Sequence, residues 1–430
     1  MTDELFGYHD IGFSSSGVIK KLQEKILRRH LVYCKKHSPH YRKKFKKFDF
    51  DNFSLNRLHE LPFTVKSDIS RCNEDFLAVA CDKIVDIVMT SGTTGLPLKM
   101  MYTGADLDRL AYNEEKSLAG CGITDKDRVL LTCTLDRCFI AGLAYFLGVR
   151  SIGAAAVRNG QNSLESQVEI IKLMRPTIIV GVPSFLIKLG MYIANTGADP
   201  RKTGITGLVC IGEPVRDMDL KLLKTGKDLT NIWNANLFST YASTETVTTF
   251  CECEQQEGGH LHPDLAIAEI VDELGNPVPS GTAGEVVITP LSVEGMPLVR
   301  YKTGDISFLI DEPCQCGRFT PRLGPILGRK KQMIKLKGTT LYPQSIYSAL
   351  NEIDEIEDYY IVVTSKNLLS DEVVIHTAVN DKIYTAQKIA TKLRAKLRVK
   401  PDIVITDKKN VEKHINRPGS RKHIRFIDRR

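Results

Sequence analysis

From about residue 80 the chain alternates short apolar runs with stretches of helical spacing. Ile84–Thr90 and Arg128–Leu135 are rich in branched residues, and runs of that length predict buried strands. Thr177–Val182 reads TIIVGV and predicts another. Pro183 follows it, and Ser184–Ala194 repeats apolar positions at helical intervals as far as Gly197. Proline at the start and glycine past the end frame a helix. Phe139–Val149 predicts a buried helix and Gly207–Ile211 a further strand. A strand-then-helix rhythm needs crossover connections, which lay helices on both faces of a mostly parallel sheet. Residues 267–310 break the rhythm. Ile267–Val271 and Gly284–Thr289 are joined through the turn-forming Gly275-Asn276-Pro277, which predicts an antiparallel appendage. After Gly328-Arg329-Lys330-Lys331 the pattern restarts. Strands are expected at Met333–Leu336, Tyr359–Val363, Val373–Ala378 and Ile403–Thr406, with helices from Pro343 and over Ala386–Leu397. The expected fold class is α/β. A large N-terminal domain, residues 1–328, would hold mostly parallel sheets flanked by helices plus the antiparallel β appendage. A small α+β C-terminal domain would span residues 329–430.

Length agrees with two domains, because 430 residues exceed the ~250–300 at which single cores stop growing. Hydrophobic residues at 42% and charged residues at 26% sit near the globular average, which excludes a disordered, collagen-like or coiled-coil chain. The net charge of +8 permits nucleic acid or an anionic ligand and demands neither. Residues 17–47 read as helices rich in Lys and Arg on one face. The tail, residues 401–430, holds nine Lys/Arg against four Asp/Glu, as suits a solvated end or a surface facing a polyanion such as a nucleotide. No stretch reaches the ~18–20 apolar residues that cross a bilayer, and Met1-Thr-Asp-Glu-Leu-Phe-Gly7 is acidic without a signal-peptide apolar region. No membrane partner is expected. Seven of the eleven cysteines stand singly, mostly among apolar neighbours, and four form two C-x-C pairs. Reduced thiols in the cytoplasm, with a metal as an option, are the expectation.

Thr90-Ser91-Gly92-Thr93-Thr94-Gly95-Leu-Pro-Leu-Lys99 follows the first apolar run. Its hydroxyls and backbone N–H groups can wrap a polyphosphate, and Lys99 adds a charge; the bland alternative is an exposed turn. It is not a Walker A loop, which needs Gly-Lys-Ser/Thr together after its spacer. Further along stand Gly212-Glu213-Pro214, Tyr241-Ala242-Ser243-Thr244-Glu245-Thr246, Tyr301-Lys-Thr-Gly-Asp305, Gly328-Arg329 and Arg421-Lys422-His-Ile-Arg425. Each alone is a weak signal. In this order and spacing they resemble the signature series of the adenylate-forming superfamily: acyl-CoA synthetases, peptide-synthetase adenylation domains and luciferase. Within it the chain is similar to the phenylacetate–coenzyme A ligase family. His37-Ser-Pro-His-Tyr-Arg-Lys-Lys-Phe45 and Leu61-Pro-Phe-Thr-Val-Lys-Ser-Asp68 resemble that family's N-terminal segments.

The resemblance implies ATP, Mg²⁺ and coenzyme A as cofactors, a small-molecule carboxylic acid as substrate, and a mobile C-terminal lid. It implies that Thr90, Ser91, Gly92, Thr93, Thr94, Gly95 and Lys99 grip the β- and γ-phosphates. Gly212, Glu213 and Pro214 would border the adenine and Tyr241 would stack on it. Ala242 and Ser243 complete that motif, with Ala242 standing where the family commonly has glycine. Thr244 would touch the α-phosphate, Glu245 would hold Mg²⁺, Asp305 would bind the ribose hydroxyls and Arg329 would lie near ribose and phosphate. Lys422 would be the lid lysine that serves adenylation, although Arg421 replaces the glycine usual before it. Lys331-Gln332 stands where the family usually has Asp-Asp, which makes Lys331 the expected hinge. Dimers are common in the family, so a homodimer is an option.

The family also carries a Cys, a His and a Cys-x-Cys-Gly-Arg set read as zinc ligands. Aligned on Glu269-Ile-Val-Asp272, these fall on Cys253, His260, Cys314 and Cys316, with Cys251 and His262 as the neighbours that could replace the first two. Four soft ligands suit a closed structural zinc, stapling segments 54 positions apart. The acyl pocket of the family uses the stretch Thr134–Tyr145. Phe139 matches a pocket phenylalanine, Thr134 stands where several members have tyrosine, and Tyr145 stands where they have a small residue. An altered pocket for an aryl or arylalkyl acid other than phenylacetate is the expectation, with Arg137 either on a polar substrate or in a surface ion pair. Three other readings compete: an adenylyltransferase of the coenzyme F390 synthetase type, a zinc-containing nucleic-acid-binding protein, and a non-catalytic relative. The presence of Lys99, Glu245, Asp305 and Lys422 argues against the last, and the lack of a nucleic-acid motif against the second.

Overall fold

In a computed structural model of the chain, describing residues 8, 10–90, 98–367, 370–380, 383, 385–416 and 424–430, the contacts divide into two units. One comprises residues 1–303 with 307–326, the other residues 304–306 with 327–430.

Helix α1 (Ser16–His37) opens the larger unit. Its inward positions Ile19, Ile26, Leu27, His30, Leu31 and Cys34 are buried, the three-and-four spacing that puts one face into a core. Ser38-Pro39 ends it, because the residue before proline disfavours helical geometry. Pro39 then starts α2 (Pro39–Lys44). Tyr41, Phe45, Phe50 and Phe53 pack with Leu27 and Leu31 in one apolar cluster. The first two strands beyond residue 80 depart from expectation. β1 (Ile84–Met89) pairs antiparallel with β2 (Lys99–Thr103) in a sheet of two, so the parallel rhythm does not start at residue 84. Within β1 only Val88 is buried, while Val85, Ile87 and Met89 are exposed; an apolar run does not reveal how many of its faces are covered. Helix α3 (Gly104–Gly120) follows, closed at its start by a reciprocal pair of hydrogen bonds. Asp106 N–H donates to the Thr103 hydroxyl at 3.1 Å, and Thr103 N–H donates to the Asp106 carboxylate at 3.0 Å.

The central sheet uses β3 (Arg128–Leu131), β4 (Ala155–Arg158), β5 (Ile178–Gly181), β6 (Gly207–Cys210), β7 (Asn236–Ser243) and β8 (Thr248–Cys251). Their order is β4-β3-β5-β6-β7-β8. All neighbours are parallel except β7 and β8. The helices between them are α4 (Ile140–Ile152), α5 (Leu164–Met174), α6 (Pro183–Asn195) and α7 (Lys224–Trp233). Alternate strand residues point to opposite faces. Val129, Leu131, Val180 and Val209 join Leu118 and Tyr145 in one core, whereas Leu130, Ile179 and Leu208 join Leu186, Leu229 and Trp233 in another. This is the expected parallel sheet with helices on both faces.

The antiparallel appendage is also present. β9 (Ala266–Val271) pairs with β10 (Gly284–Pro290) in an unbroken register, and β11 (Tyr301–Ser307) lies beside β10. The two-residue strand Thr64–Val65 runs parallel to Tyr301–Lys302. Two buried guanidiniums stitch these parts. Arg300 donates to both Glu269 oxygens, at 3.0 and 2.9 Å, and to the carbonyls of His59 and Leu61. Arg109, on α3, donates to the carbonyls of Leu291, Val247 and Leu265 and to the Thr248 hydroxyl. Burial holds its pKa down at about 10, so it remains a cation at neutral pH.

In the smaller unit a hairpin, β12 (Ile334–Leu336) and β13 (Thr339–Leu341), precedes α8 (Pro343–Asn351). Then come β14 (Ile356–Asn367), β15 (Ser370–Val379), α9 (Ala386–Leu397), β16 (Asp402–Ile405), α10 (Lys408–Ile415) and β17 (Phe426–Asp428). The sheet order is β16-β15-β14-β17. Ile346, Leu350, Ile361, Val363, Ile375, Ile389 and Leu393 form its core. Among the described residues no helix is long and apolar enough to cross a membrane.

Replacing Arg109 by Met should strand three carbonyls and cost about 3 kcal/mol or more, since each buried group left unpaired costs roughly 1–3 kcal/mol. Urea denaturation measures it; a loss under about 1 kcal/mol would contradict the stitching role.

Candidate functional site

Strands β7 and β8 meet at a short turn, Thr244–Thr246, closed by Val247 in the left-handed region at φ 50°. A branched residue pays strain there, and the Arg109 guanidinium holds the Val247 carbonyl in place. The turn presents Glu245, whose carboxylate gathers three donors. The Ser243 hydroxyl donates at 2.9 Å, the Tyr301 hydroxyl at 3.2 Å and the Lys66 ammonium at 3.3 Å. Lys66 also donates to the Thr90 hydroxyl at 3.1 Å, which in turn accepts from Leu98 N–H. The Tyr102 hydroxyl donates to the Thr244 carbonyl at 2.7 Å. Thr90 and Glu245 therefore share one ammonium group, with Ser243 on the same carboxylate and Thr244 next to it in the chain.

Sequence reasoning missed Lys66, Tyr102 and Tyr301 as members of this group. Lys66 and Tyr301 stand inside the quoted stretches Leu61–Asp68 and Tyr301–Asp305, so the signal was present without a role attached. Tyr102 follows the hydroxyl-rich loop with no local mark. Ser91, Gly92, Thr93, Thr94 and Gly95 lie outside the described residues, as does Lys422. Lys99, at the start of β2, pairs with Glu74 at 2.6 Å rather than with the Glu245 group.

Gly212 follows β6 at φ 73°, where a side chain would strain the backbone. Glu213 accepts from Ser184 N–H at 2.9 Å and from its hydroxyl at 2.8 Å, which ties the Gly212–Pro214 loop to the first turn of α6. Tyr241 lies opposite Phe250 in the β7–β8 register, rings 6.4 Å apart and nearly parallel. Ala242 is exposed. Phe139 precedes α4 and is 39% exposed, whereas Tyr145 is 2% exposed inside the sheet core. Arg137 lies 3.7 Å from exposed Asp136, the surface-pair geometry. In the smaller unit Asp305 pairs in register with Arg329, and the guanidinium Nε reaches its carboxylate at 3.3 Å. Lys331 is exposed in the following turn.

A second cluster lies elsewhere in the larger unit. One donor atom each from Cys253, His260, Cys314 and Cys316 falls within 4.8 Å of the others. Cys253 and Cys314 sulfurs are 3.6 Å apart, and Cys316 Sγ is 3.4 Å from His260 Nε2. The other ring nitrogen, Nδ1, meets the Thr320 hydroxyl at 2.9 Å, which orients Nε2 toward the sulfurs. Burial, with Arg318 and Arg322 nearby, depresses His260 to about 3, so the ring is neutral as a ligand must be. Burial opposes ionisation of Cys316, yet hydrogen bonds from the Arg318 backbone and guanidinium hold its thiol below the ordinary value. Three sulfurs and an imidazole could hold a thiophilic divalent cation. The alternatives lie apart from this set: Cys251 Sγ sits 3.2 Å from Cys121 Sγ, and His262 Nε2 is 2.9 Å from the Ser117 hydroxyl.

Behind β8, Glu114 of α3 is fully buried; one oxygen accepts from the Thr249 hydroxyl, and the other has no partner among the described residues. Burial raises this carboxyl to about 7. Thr249 lies opposite Ala242 in the register, so Glu114 packs against the strand pair that carries the Glu245 turn.

A sequence profile of the AMP-binding enzyme family matches residues 34–293, and one of the AMP-binding enzyme C-terminal domain matches residues 338–430. The chain is 31% identical to phenylacetate-coenzyme A ligase of Thermus thermophilus over 375 residues, 85% of this chain and 82% of that protein. It is 27% identical to phenylacetate-coenzyme A ligase of Escherichia coli, covering 80% of this chain and 78% of that one. A crystal structure of 2-hydroxyisobutyryl-CoA ligase in the postadenylation state covers 96% of this chain and 90% of its own, with a TM-score of 0.83 at 22% identity. That likeness is one of fold.

Glu114 makes stability depend on pH. Its folded value lies above the unfolded one near 4.5, so the unfolded chain releases the proton first. Stability should fall by about 3 kcal/mol between pH ~4.5 and ~7 and level off above. Glu114→Gln should remove that slope and exceed the wild type in stability at pH 8; a stability difference constant from pH 5 to 8 would refute it.

Proposed function

The chain belongs to the AMP-binding enzyme family, in its phenylacetate–coenzyme A ligase branch, and is an AMP-forming acid–coenzyme A ligase; we propose that its acid is an aryl or arylalkyl carboxylate other than phenylacetate. In the first half-reaction a carboxylate oxygen attacks the α-phosphorus of ATP and pyrophosphate leaves. In the second the coenzyme A thiol attacks the acyl carbon and AMP leaves. Charge gathers on phosphoryl oxygens, so the protein must supply placed donors and cations rather than a covalent nucleophile.

The observation that carries the site assignment is the convergence of Thr90, Lys66, Ser243 and Tyr301 with Glu245 beside Thr244. We assign Thr244 to the α-phosphate and Glu245 to Mg²⁺. A single carboxylate backed by hydroxyls fits an ion that keeps most of its waters and takes phosphate oxygens. Bound there, Mg²⁺ would neutralise phosphate charge. Lys66 holds the carboxylate aimed. We assign the loop from Thr90 through Gly95, with Lys99, to the outer phosphates, Gly212 to Pro214 and Tyr241 to the adenine, Asp305 and Arg329 to the ribose, Lys331 to the hinge of a lid formed by residues 329–430, and Lys422 to the adenylation step. Thr134 and Tyr145, standing where the family has a tyrosine and a small residue, are the sequence grounds for that acid; Tyr145 itself lies in the sheet core.

We assign structural zinc to Cys253, His260, Cys314 and Cys316. Four protein donors leave no open position for water, so the ion would staple loops rather than react. Thiols of this kind persist in the cytoplasm.

A panel of carboxylic acids, assayed with ATP and coenzyme A, should give an acyl-CoA and AMP for aryl or arylalkyl members. Enzyme-bound acyl-adenylate is expected without coenzyme A; a stable adenylylated product released over many turnovers, equally with and without coenzyme A and with no thioester, would contradict the ligase and favour an adenylyltransferase. Glu245→Gln should slow adenylate formation by about 10²–10³-fold, as loss of one transition-state charge contact does. Lys422→Ala should slow adenylation by orders of magnitude and spare thioester formation from supplied acyl-adenylate; equal loss in both half-reactions would refute its assignment. Metal analysis should find about one zinc per chain, lost in Cys253→Ser and retained in Cys251→Ser. Retention in both would remove the assignment.

A further inference from the structure

The strongest charge feature of the chain lies outside every residue assigned above. Residues 20–47 contain twelve Lys/Arg and a single carboxylate, Glu24, a net of +11 with histidine neutral. The whole chain carries +8, so the remaining 402 residues are net −3. Ordinary solvated surfaces intersperse the two signs; here Arg28 meets Glu24, Lys43 meets Asp75 and Lys44 meets Asp68, but the only charges on the outer face of the first long helix are cations.

The structure shows how that charge is presented. On α1 the exposed positions Val18, Lys21, Lys25, Arg29, Val32 and Lys36 fall within an arc of about 80° at 100° per residue, over a length of about 27 Å. The arc lies opposite the buried side, formed by Ile19, Ile26, Leu27, His30, Leu31 and Cys34. Val18 and Val32 are 50% and 46% exposed. Glu24 lies 3.6 Å from Arg28. Lys21, Lys25 and Lys36 have no ion-pair partner among the described residues. The stripe continues onto α2, where Arg42 donates to the Lys36 carbonyl at 2.9 Å, and on to exposed Lys46 and Lys47.

We propose that this face docks on an anionic lipid surface, with the α1 stripe lying along it. Lysines can reach phosphate while their stems and the two valines enter the headgroup boundary. Each basic side chain near such a surface contributes roughly fivefold to partitioning. A polynucleotide fits less well. The stripe offers valines where a nucleic acid would present sugar and phosphate. The one tyrosine of α1, Tyr33, is stacked on His37 at 4.7 Å rather than exposed for bases.

The test is sedimentation of the full-length protein with vesicles of phosphatidylcholine alone or with about 30% phosphatidylglycerol, at about 0.1 and 1 M salt. Binding is expected only to the anionic vesicles and only at the lower salt. Combined Lys21→Glu, Lys25→Glu, Arg29→Glu and Lys36→Glu should weaken it at least about tenfold, and Val18→Ser with Val32→Ser by a smaller factor. Both variants should retain the wild-type melting temperature and ligase activity in solution. Three outcomes would overturn the proposal: no binding to either vesicle, equal binding to both, or salt-sensitive binding to a short duplex tighter than to anionic vesicles.

Discussion

One buried guanidinium sets the geometry around the Thr244–Glu245 turn. Arg109 reaches from α3 to the carbonyls of Val247, Leu265 and Leu291, and so joins β8, the approach to β9 and the segment after β10. A buried cation is costly unless its donors are satisfied, and here the acceptors come from backbone that could otherwise move independently. Val247 takes a positive φ in this grip. The strained turn persists because its surroundings leave it no alternative, and the Glu245 carboxylate is thereby fixed relative to β7 and β11.

Around that turn polar side chains hold one another in place. Lys66 bridges Glu245 and Thr90, Tyr301 and Ser243 complete the carboxylate, and Tyr102 ties down the Thr244 carbonyl. On the proposed assignment, a framework fixed in this way before substrate arrives would cost no reorganisation when charge develops on a phosphoryl group. The cysteine–histidine cluster acts at another place in the same unit. It brings together residues of segments that carry no long apolar run, which is why a metal is proposed to supply cohesion there.

Much of this was legible in the chain. Strands β3, β5 and β6 announce themselves because both faces of a parallel sheet are buried and their sequences are mostly apolar, and helix α6 because Pro183 is followed by apolar positions at helical spacing. Helix α3 does not, because its inward face carries Asp106, Arg109, Asn113, Glu114 and Ser117, polar residues that only tertiary partners make sensible. β1 misleads for the opposite reason, its apolar side chains being partly exposed. The motif residues Thr244, Glu245 and Asp305 could be read as chemistry, whereas Lys66 and Tyr102 could not, since their roles exist only through contacts across 179 and 142 positions. Cys251 and Cys253 share the same strand parity, so alternation does not separate them. The distinction comes from Cys121, which sits against Cys251 and leaves Cys253 to the cluster.

The central claim is that an acid oxygen becomes bonded to the α-phosphorus of ATP. Turnover of a carboxylic acid labelled with ¹⁸O in both carboxylate positions, followed by mass spectrometry of the nucleotide and the pyrophosphate, tests it most directly. The account predicts one labelled oxygen in AMP and none in pyrophosphate. Label in the pyrophosphate or in inorganic phosphate, or unlabelled AMP accompanying thioester formation, would contradict it.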